Sequence, residues 1–311
     1  MILVTGGFGF IGLPLVKALV KRGYEVLVFD RQPNPEALGE YVTRLTIVRG
    51  DVTAFNDVLD VMKRYQIRDV FHLAALLSSA CEANPLLGFR VNVEGTLNVL
   101  EAARTVGVNR FIFPSTLATY GSELPLVVNE ETRQEPLTFY GATKVFCELW
   151  GLQYHRRFGL DFRSVRLPAV IGPGRTDGGA SVYSSLMIEK PALGEEYTVY
   201  VDEETSIPII YIEEIPSLLM SLYQAVRVKS RILNVGALSP KAGEIAEKVK
   251  KYVPNATIKF DPNPELVAMV RKWPVPDSSR IKEELGWKLS YDLDSLVRDF
   301  IAEVRSGNYK V

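Results

Sequence analysis

The chain is poor in the residues from which metal centres and covalent frameworks are built. Its 311 residues include 2 cysteines, Cys81 and Cys147, and 2 histidines, His72 and His155. Neither cysteine belongs to a C-x-x-C motif, so a disulfide framework is excluded in practice and a reducing cytosol fits best. The histidines are too few and too far apart in sequence for a metal site, and no metal is expected. Charge of one sign is also missing, since 36 basic against 37 acidic residues leave a net charge of −1. That balance gives no electrostatic footprint for nucleic acid or an anionic membrane, and neither partner is expected. No apolar run approaches a bilayer span, and Met1 runs into a strand pattern without a basic leader or cleavage site, so a cytoplasmic protein is expected. Internal repeats and low-complexity linkers are lacking too.

What is present is the composition of an ordinary globular protein, 47% hydrophobic and 23% charged, at a length that suggests about two domains. The most informative stretch is the opening one. An apolar run, Ile2-Leu3-Val4, meets Thr5-Gly6-Gly7-Phe8-Gly9-Phe10-Ile11-Gly12; an amphipathic segment continues to Arg22, and a second apolar run from Tyr24 to Phe29 ends in Asp30. This order is strand, tight glycine turn, helix, strand and terminal carboxylate, the first βαβ unit of a dinucleotide-binding fold. Gly6 permits the tight turn, Gly9 lets a pyrophosphate approach the backbone, and Gly12 lets the helix pack closely on the strand. The N–H groups at the helix start then face the phosphates. Asp30 lies eighteen residues past Gly12, where a carboxylate accepts both ribose hydroxyls of an adenosine. It repels a 2′-phosphate, which favours NAD over NADP, and Arg31 next door softens that repulsion. A glycine turn of no special function is the plain alternative; the flanking apolar runs and the terminal acid favour the cofactor.

Further strands are expected at residues 45–48, 69–75, 110–113 and 160–167, alternating with helical patterns at 56–65, 85–106 and from 140 onward. Asp51 directly follows the third strand, where it either bonds the adenine amino group, with Val52 packed on the ring, or serves as a turn or N-cap residue. The fourth strand ends in small residues, Leu73-Ala74-Ala75, past which a cofactor fits closely. His72, inside an apolar strand, reads as a satisfied core histidine rather than a ligand. Asn92, in the middle of an apolar helix, has either a buried hydrogen-bonding task or a solvent-facing place. From Pro168 the pattern changes: Gly172 to Gly179 is a glycine-rich loop and a candidate substrate lid, followed by short elements, a returning strand at 231–235, a polar helix at 239–251 and an amphipathic helix at 292–304. The expected architecture is α/β, a Rossmann-type doubly wound parallel sheet with a smaller α/β substrate-binding part toward the C-terminal end. Residues 1–167 form the NAD-binding part with returning segments at about 207–236, and 168–206 with 237–311 form the smaller one.

The fifth strand runs into Pro114-Ser115-Thr116, a pair of hydroxyls at the sheet edge where open α/β folds bind ligands. Some two dozen residues later, Tyr140 and Lys144 are i and i+4 at a helix start, hence neighbours on one face. Removing a proton from an alcohol whose carbon gives up hydride requires a base, and free tyrosine, with a pKa near 10, is poorly suited at neutral pH. A nearby ammonium and a positive nicotinamide ring both favour phenolate. Lowering that pKa by about three units needs roughly 4 kcal/mol, within reach of one partly desolvated cation. Lys144 is placed to supply it, and the Thr116 hydroxyl, with Ser115 nearby, to hold the substrate oxygen. An ordinary Tyr and Lys on a surface helix is the alternative.

At these residues the sequence resembles the extended short-chain dehydrogenase/reductases, the NAD-dependent epimerase/dehydratase family. The resemblance covers Thr5 to Gly12, Asp30, Asp51-Val52, His72 to Ala75, Asn92, Pro114 to Thr116, Tyr140 to Lys144, Arg166-Leu167-Pro168 and Leu285-Gly286-Trp287. It implies Tyr140 as base, Lys144 as its activator and cofactor anchor, Thr116 as partner of the substrate oxygen, and a homodimer through the helices carrying Asn92 and Tyr140. The cofactor set is then Gly6, Gly9, Phe10, Ile11, Gly12, Asp30, Arg31, Asp51, Val52, Leu73, Ala74, Ala75, Asn92, Pro114, Tyr140, Lys144, Leu167, Pro168 and Val170.

Sugar-nucleotide epimerases and dehydratases of this kind place an arginine for pyrophosphate on the strand that here reads Ser206 to Tyr211, and an asparagine where this chain has Leu167-Pro168-Ala169. Both handles are missing here. His72 to Ser78 with Glu82, the Pro114 to Thr116 turn and Trp273-Pro274 look like L-threonine dehydrogenases, which carry Thr-Thr-Asp-Tyr where this chain has Ala180-Ser181-Val182-Tyr183. That segment and Arg166-Leu167-Pro168 look more like D-erythronate dehydrogenases. Ser78, Glu82, Ser115, Thr116, Ala180 and Ser181 are the candidate substrate residues; for Ser78 and Glu82 a capping serine and a solvated glutamate are the alternatives. The expected function is NAD-dependent oxidation of a secondary alcohol on a small hydroxy, amino or sugar acid. The rivals are a sugar-nucleotide epimerase that retains its NAD, and a cofactor-binding sensor without turnover.

Overall fold

A computed structural model of the chain describes residues 1–121, 124–175 and 179–307. Short apolar runs become seven strands: β1 (Ile2–Thr5), β2 (Val26–Asp30), β3 (Thr46–Arg49), β4 (Asp69–His72), β5 (Arg110–Thr116), β6 (Asp161–Leu167) and β7 (Ile232–Asn234). They form one parallel sheet in the order β7-β6-β5-β4-β1-β2-β3. The chain builds outward from β1 to β3, then returns to lay β4 on the other side of β1. The carboxyl ends of β1 and β4 therefore bound the crevice where an open sheet takes its ligand.

Both faces of the sheet are covered, which is why its central strands read as unbroken apolar runs. Successive side chains alternate between layers. Ile2, Val4, Val26, Val28, Phe71 and Ile112 face the layer of α1 (Gly12–Lys21), whereas Leu3, Leu27, Phe29, Val70, Phe111 and Phe113 face that of α2 (Phe55–Arg64) and α3 (Gly95–Val106). The long helix α4 (Phe139–Phe158) lies in the second layer, buries Cys147 there, and leaves Phe139, Leu149, Trp150 and Phe158 exposed.

The rest of the chain carries α5 (Tyr183–Ala192), α6 (Glu214–Gln224), which packs on α1 and β5, α7 (Ala242–Tyr252), α8 (Pro264–Val270), α9 (Ser279–Leu285) and α10 (Leu293–Ser306). Its apolar residues, from Val170 to Val304, are continuous with the first layer of the sheet. Of the returning segment, only β7 joins the large sheet; Ile209–Tyr211 pairs in parallel with Ala169–Ile171 in a separate two-stranded unit. Elements additional to those read from the sequence include the short helix Ser78–Ala83, the strand Ala169–Ile171, helix α8, and a parallel pair of Val127–Val128 with Val275–Pro276.

The helix expected over residues 85–106 is interrupted. It comprises Pro85–Gly88, a π-helical segment Phe89–Glu94, and then α3. The wider turn carries Asn92, 2% exposed, whose amide accepts from Leu76 N at 2.7 Å and donates to Leu76 O at 2.9 Å and Thr143 Oγ1 at 3.1 Å. Asn92 thus ties the loop after β4 to α4.

His72 is a fully bonded core residue. Thr96 Oγ1 donates to Asn92 O at 2.5 Å, so it accepts from His72 Nε2 at 3.0 Å, and Nδ1 accepts from Thr5 Oγ1 at 2.7 Å. Burial, reinforced by the Lys144 ammonium, pushes its pKa down to about 3. Among the described residues no helix is long and apolar enough to cross a membrane, and no group of three or more His, Cys, Asp or Glu stands ready for a metal ion.

Because the unfolded chain protonates His72 near its ordinary value and the folded chain does so only near 3, this residue's contribution is intact above pH 6.5 and is lost as pH falls. It should remove about 2 kcal/mol of stability between pH 7 and pH 5. Urea midpoints at the two pH values measure this, and in His72→Asn the two values should lie closer by about that amount.

Candidate active site

The turn from β1 to α1 is built around glycine for steric reasons. Gly6 has φ +67°, and a Cβ on it would lie 2.7 Å from Ala74 N; one on Gly12 would lie 2.2 Å from Gly6 O. Gly9 differs, because a Cβ there would meet only Gly6 O, at 3.2 Å, and would otherwise stand in open space. No side chain caps the start of α1 and no acid lies in its first turn, so its leading N–H groups are left for an anion. At the end of β2, Asp30 accepts from Phe8 N at 3.1 Å and from Gln32 N at 3.0 Å, which fixes the carboxylate beside this turn. An open backbone cradle, an uncapped helix start and an oriented acid together fit a dinucleotide.

A cleft of about 680 Å³ opens at the carboxyl ends of the strands. The residues expected to carry the chemistry reach it from two elements. Helix α4 begins at Thr138, whose Oγ1 accepts from Gly141 N at 3.0 Å, and Glu82 Oε1 accepts from Phe139 N at 2.8 Å. A Cβ on Gly141 would lie 2.2 Å from Ala118 O, so the helix start abuts the turn that follows β5. This close approach brings Tyr140 and Lys144 alongside Pro114, Ser115 and Thr116.

Lys144 is 5% exposed. Its Nζ donates to Pro114 O at 3.0 Å, lies 4.4 Å from the centroid of the Phe113 ring and 5.8 Å from that of the Tyr140 ring. Burial pushes its pKa down to about 8, against the opposing pull of Cys147, Glu148 and Cys81, so it remains an ammonium at neutral pH. Thr116 Oγ1 accepts from Ala118 N at 3.1 Å and faces the cleft. A phenol, an ammonium and a hydroxyl thus converge beside the glycine cradle.

The cleft is lined by Gly6, Gly9, Phe10, Ile11, Gly12, Leu73, Ala75, Pro114, Tyr140, Lys144, Leu167, Pro168 and Val170 of the expected cofactor set, and by all six expected substrate residues. The other cofactor candidates lie outside it. Asp30 stands beside the glycine turn, and Arg31 is exposed next to it. Asp51 folds back on its own turn, accepting from Thr53 N and Oγ1, both at 2.9 Å, and Val52 is buried against Gly95. Ala74 donates to Thr5 Oγ1 at 3.3 Å, behind Gly6. Asn92 has the buried hydrogen-bonding task of its two readings, with its amide bonded to Leu76 and Thr143.

Two substrate candidates also have structural partners. Ser115 donates to Glu148 Oε1 at 2.5 Å, so its hydrogen is already engaged, and Glu82 caps α4 through Phe139. Thr176, Asp177 and Gly178 of the expected lid lie outside the described residues. On its flanks, Gly174 N donates to Glu189 Oε2 at 3.1 Å, and Ser181 accepts from Arg175 Nη2 at 2.8 Å. Arg175, Tyr200, Leu266 and Met269 line the cleft without having been singled out in the sequence. An arginine inside a Gly-Pro-Gly-Arg turn was the one available signal among them.

Residues 2–236 match the family described as NAD dependent epimerase/dehydratase. The chain belongs to that family. The mitochondrial L-threonine 3-dehydrogenase of Bos taurus is 30% identical to this chain over 303 residues, covering 95% of this chain and 80% of the bovine protein. The holo structure of a GalE-like L-threonine dehydrogenase from Cupriavidus necator superposes with a TM-score of 0.90 at 31% identity, covering 97% of this chain and 99% of that one. A UDP-N-acetylglucosamine 4-epimerase from Methanobrevibacter ruminantium superposes with a TM-score of 0.87 at 26% identity, covering 98% of both chains. This family member is an NAD-dependent enzyme with a Rossmann-like fold.

Gly9→Ala separates cradle from scaffold. The added methyl should weaken NAD binding about tenfold or more by filling the approach to the backbone, while stability changes by only about 1 kcal/mol. Calorimetric titration with NAD and thermal melts of the two proteins supply both readouts.

Proposed function

We propose that this protein oxidises the secondary alcohol of a small hydroxy, amino or sugar acid, with NAD taking the hydride. The observation that carries the reading is one cleft in which Tyr140, Lys144 and Thr116 stand beside the glycine cradle. Tyr140 receives the hydroxyl proton, Thr116 donates to the same substrate oxygen, and Lys144 favours the phenolate. A unit charge about 6 Å away, at an effective dielectric of about 20, is worth about 3 kcal/mol, or roughly two pKa units. Closure by apolar groups strengthens that field, and Leu266, Met269, Trp273 and Pro274 are among the residues lining the cleft.

Support for an acid rather than a nucleoside diphosphate comes from the distribution of positive charge. Among the described residues lining the cleft, Lys144 and Arg175 are the basic ones. Lys144 is engaged by Pro114 and serves the phenol, and one further guanidinium, which already donates to Ser181, is poorly matched to a pyrophosphate. The strand Ile209–Tyr211, where a phosphate-binding arginine would stand, is fully buried and carries no cation. Ala180 and Ser181 face the cleft, whereas Tyr183, Ser184 and Ser185 are buried beneath it. The likeness to proteins titled L-threonine dehydrogenase supports the same class of substrate.

Threonine, erythronate, uronates and UDP-sugars, each supplied with NAD, test the reading. NADH should accumulate with one of the acids, and Tyr140→Phe should lower that rate at least about a hundredfold with an unchanged melting temperature. Interconversion of a UDP-sugar without net NADH would instead establish the epimerase, and activity persisting in Tyr140→Phe would remove that residue from its role.

A further inference from the structure

Glu148 stands one helical turn beyond Lys144 on α4, as Lys144 stands one turn beyond Tyr140. It is wholly buried. One oxygen accepts from Ser115 Oγ at 2.5 Å and Arg166 Nε at 3.0 Å; the other accepts from Arg166 Nη2 at 2.7 Å and Gln134 Nε2 at 2.9 Å. Arg166 lies beside Ser115 on the neighbouring strand, donates through Nη1 to Tyr120 OH at 2.5 Å and stacks its guanidinium 5.0 Å from that ring's centroid. Tyr120 passes its own proton to Asn129 O at 2.7 Å.

A buried ion pair is weak evidence for stability, because desolvation of both charges offsets their attraction. Its location supplies a reason for it. Lys144 grips Pro114 O, Glu148 grips the side chain of Ser115, and the next residue is Thr116. Two residues one turn apart on α4 therefore hold two consecutive residues of β5, immediately before the hydroxyl assigned to the substrate. The groups facing Lys144 are Cys147 and Glu148 of its own helix, Cys81 of the helix Ser78–Ala83, the neutral His72 of β4 and the Tyr140 phenol. Of these, Glu148 is the carboxylate.

Resting on the dehydrogenase reading above, we propose that Glu148 is a positioning residue of the reaction, which fixes the Pro114 to Thr116 segment against Tyr140 and Lys144 and keeps the Lys144 ammonium charged. Replacing it by glutamine removes the carboxylate that faces Lys144, which disfavours the ammonium. Glu148→Gln should therefore lower kcat about tenfold with KM within about threefold, because the misplaced groups act in the transition state. It should also move the Lys144 titration, followed by 13C NMR of the labelled lysines and assigned by its loss in Lys144→Met, downward by about half a unit or more.

Glu148→Met/Arg166→Met, which removes both charges and the acceptor of Ser115 together, covers the case in which the single variant fails to fold. It should keep the lowered kcat, because Ser115 lacks its acceptor in it. Wild-type kcat in that double variant, or an unmoved Lys144 titration in Glu148→Gln, would overturn the proposal. The NMR titration needs no substrate, so it tests Glu148 even if no acid is turned over and the dehydrogenase reading itself fails.

Discussion

A buried ammonium sets the terms for the catalytic end of this protein. Lys144 keeps a single backbone acceptor, Pro114 O, and an aromatic face, Phe113, in a setting that pushes its pKa from 10.5 to about 8. A displacement of that size corresponds to about 3 kcal/mol by which the folded state disfavours the charged form. The cost is present in full below pH 8 and is relieved as pH rises from there toward 10.5. A methylene chain with an apolar end would fill the same space without it. The charge is therefore retained against stability, and it sits 5.8 Å from the ring of the phenol proposed as base.

The fold converts this local constraint into a site by geometry. Placing β4 beside β1 after the chain has built β2 and β3 leaves a crevice at the strand ends, and the glycine turn after β1 lies at its floor. Three close contacts set the distances: Gly6 against Ala74, Gly12 against Gly6, and Gly141 against Ala118. The first two shape the cradle, and the third draws the start of α4 to the end of β5. Asn92 and Glu148 then tie α4 to the β4 loop and to the β5 end by side-chain hydrogen bonds, so that phenol, ammonium and hydroxyl are held from behind rather than by the cleft itself.

The elements of the sheet were legible because both its faces are covered, which writes each strand as a continuous apolar run. Their parallel pairing followed from the alternation with amphipathic helices. The π-helical turn around Asn92 was not legible, since residues 85–106 keep an apolar pattern compatible with an uninterrupted helix. Asp51 had two readings on sequence, and its Oδ1 accepts from Thr53 N and Oγ1 as a turn residue does. Glu148 was hidden for a general reason: a glutamate in a helix ordinarily marks a solvated face, and nothing in the sequence says that Arg166, far along the chain, comes to meet it. Helix α8 was missed although Asn263 followed by Pro264 is a start signal, because seven residues are too few to show a period.

The central claim is that Lys144 stays charged at the expense of stability because the reaction needs the charge. Turnover and unfolding free energy measured together on Lys144→Met test it most directly. The variant should lose turnover by at least about a hundredfold. It should also be more stable at pH 7 by about 2 kcal/mol, the relieved desolvation less the lost bond to Pro114, with this margin shrinking as pH rises past 8. A variant that unfolds more easily at pH 7, or that turns over substrate at the wild-type rate, would contradict the account.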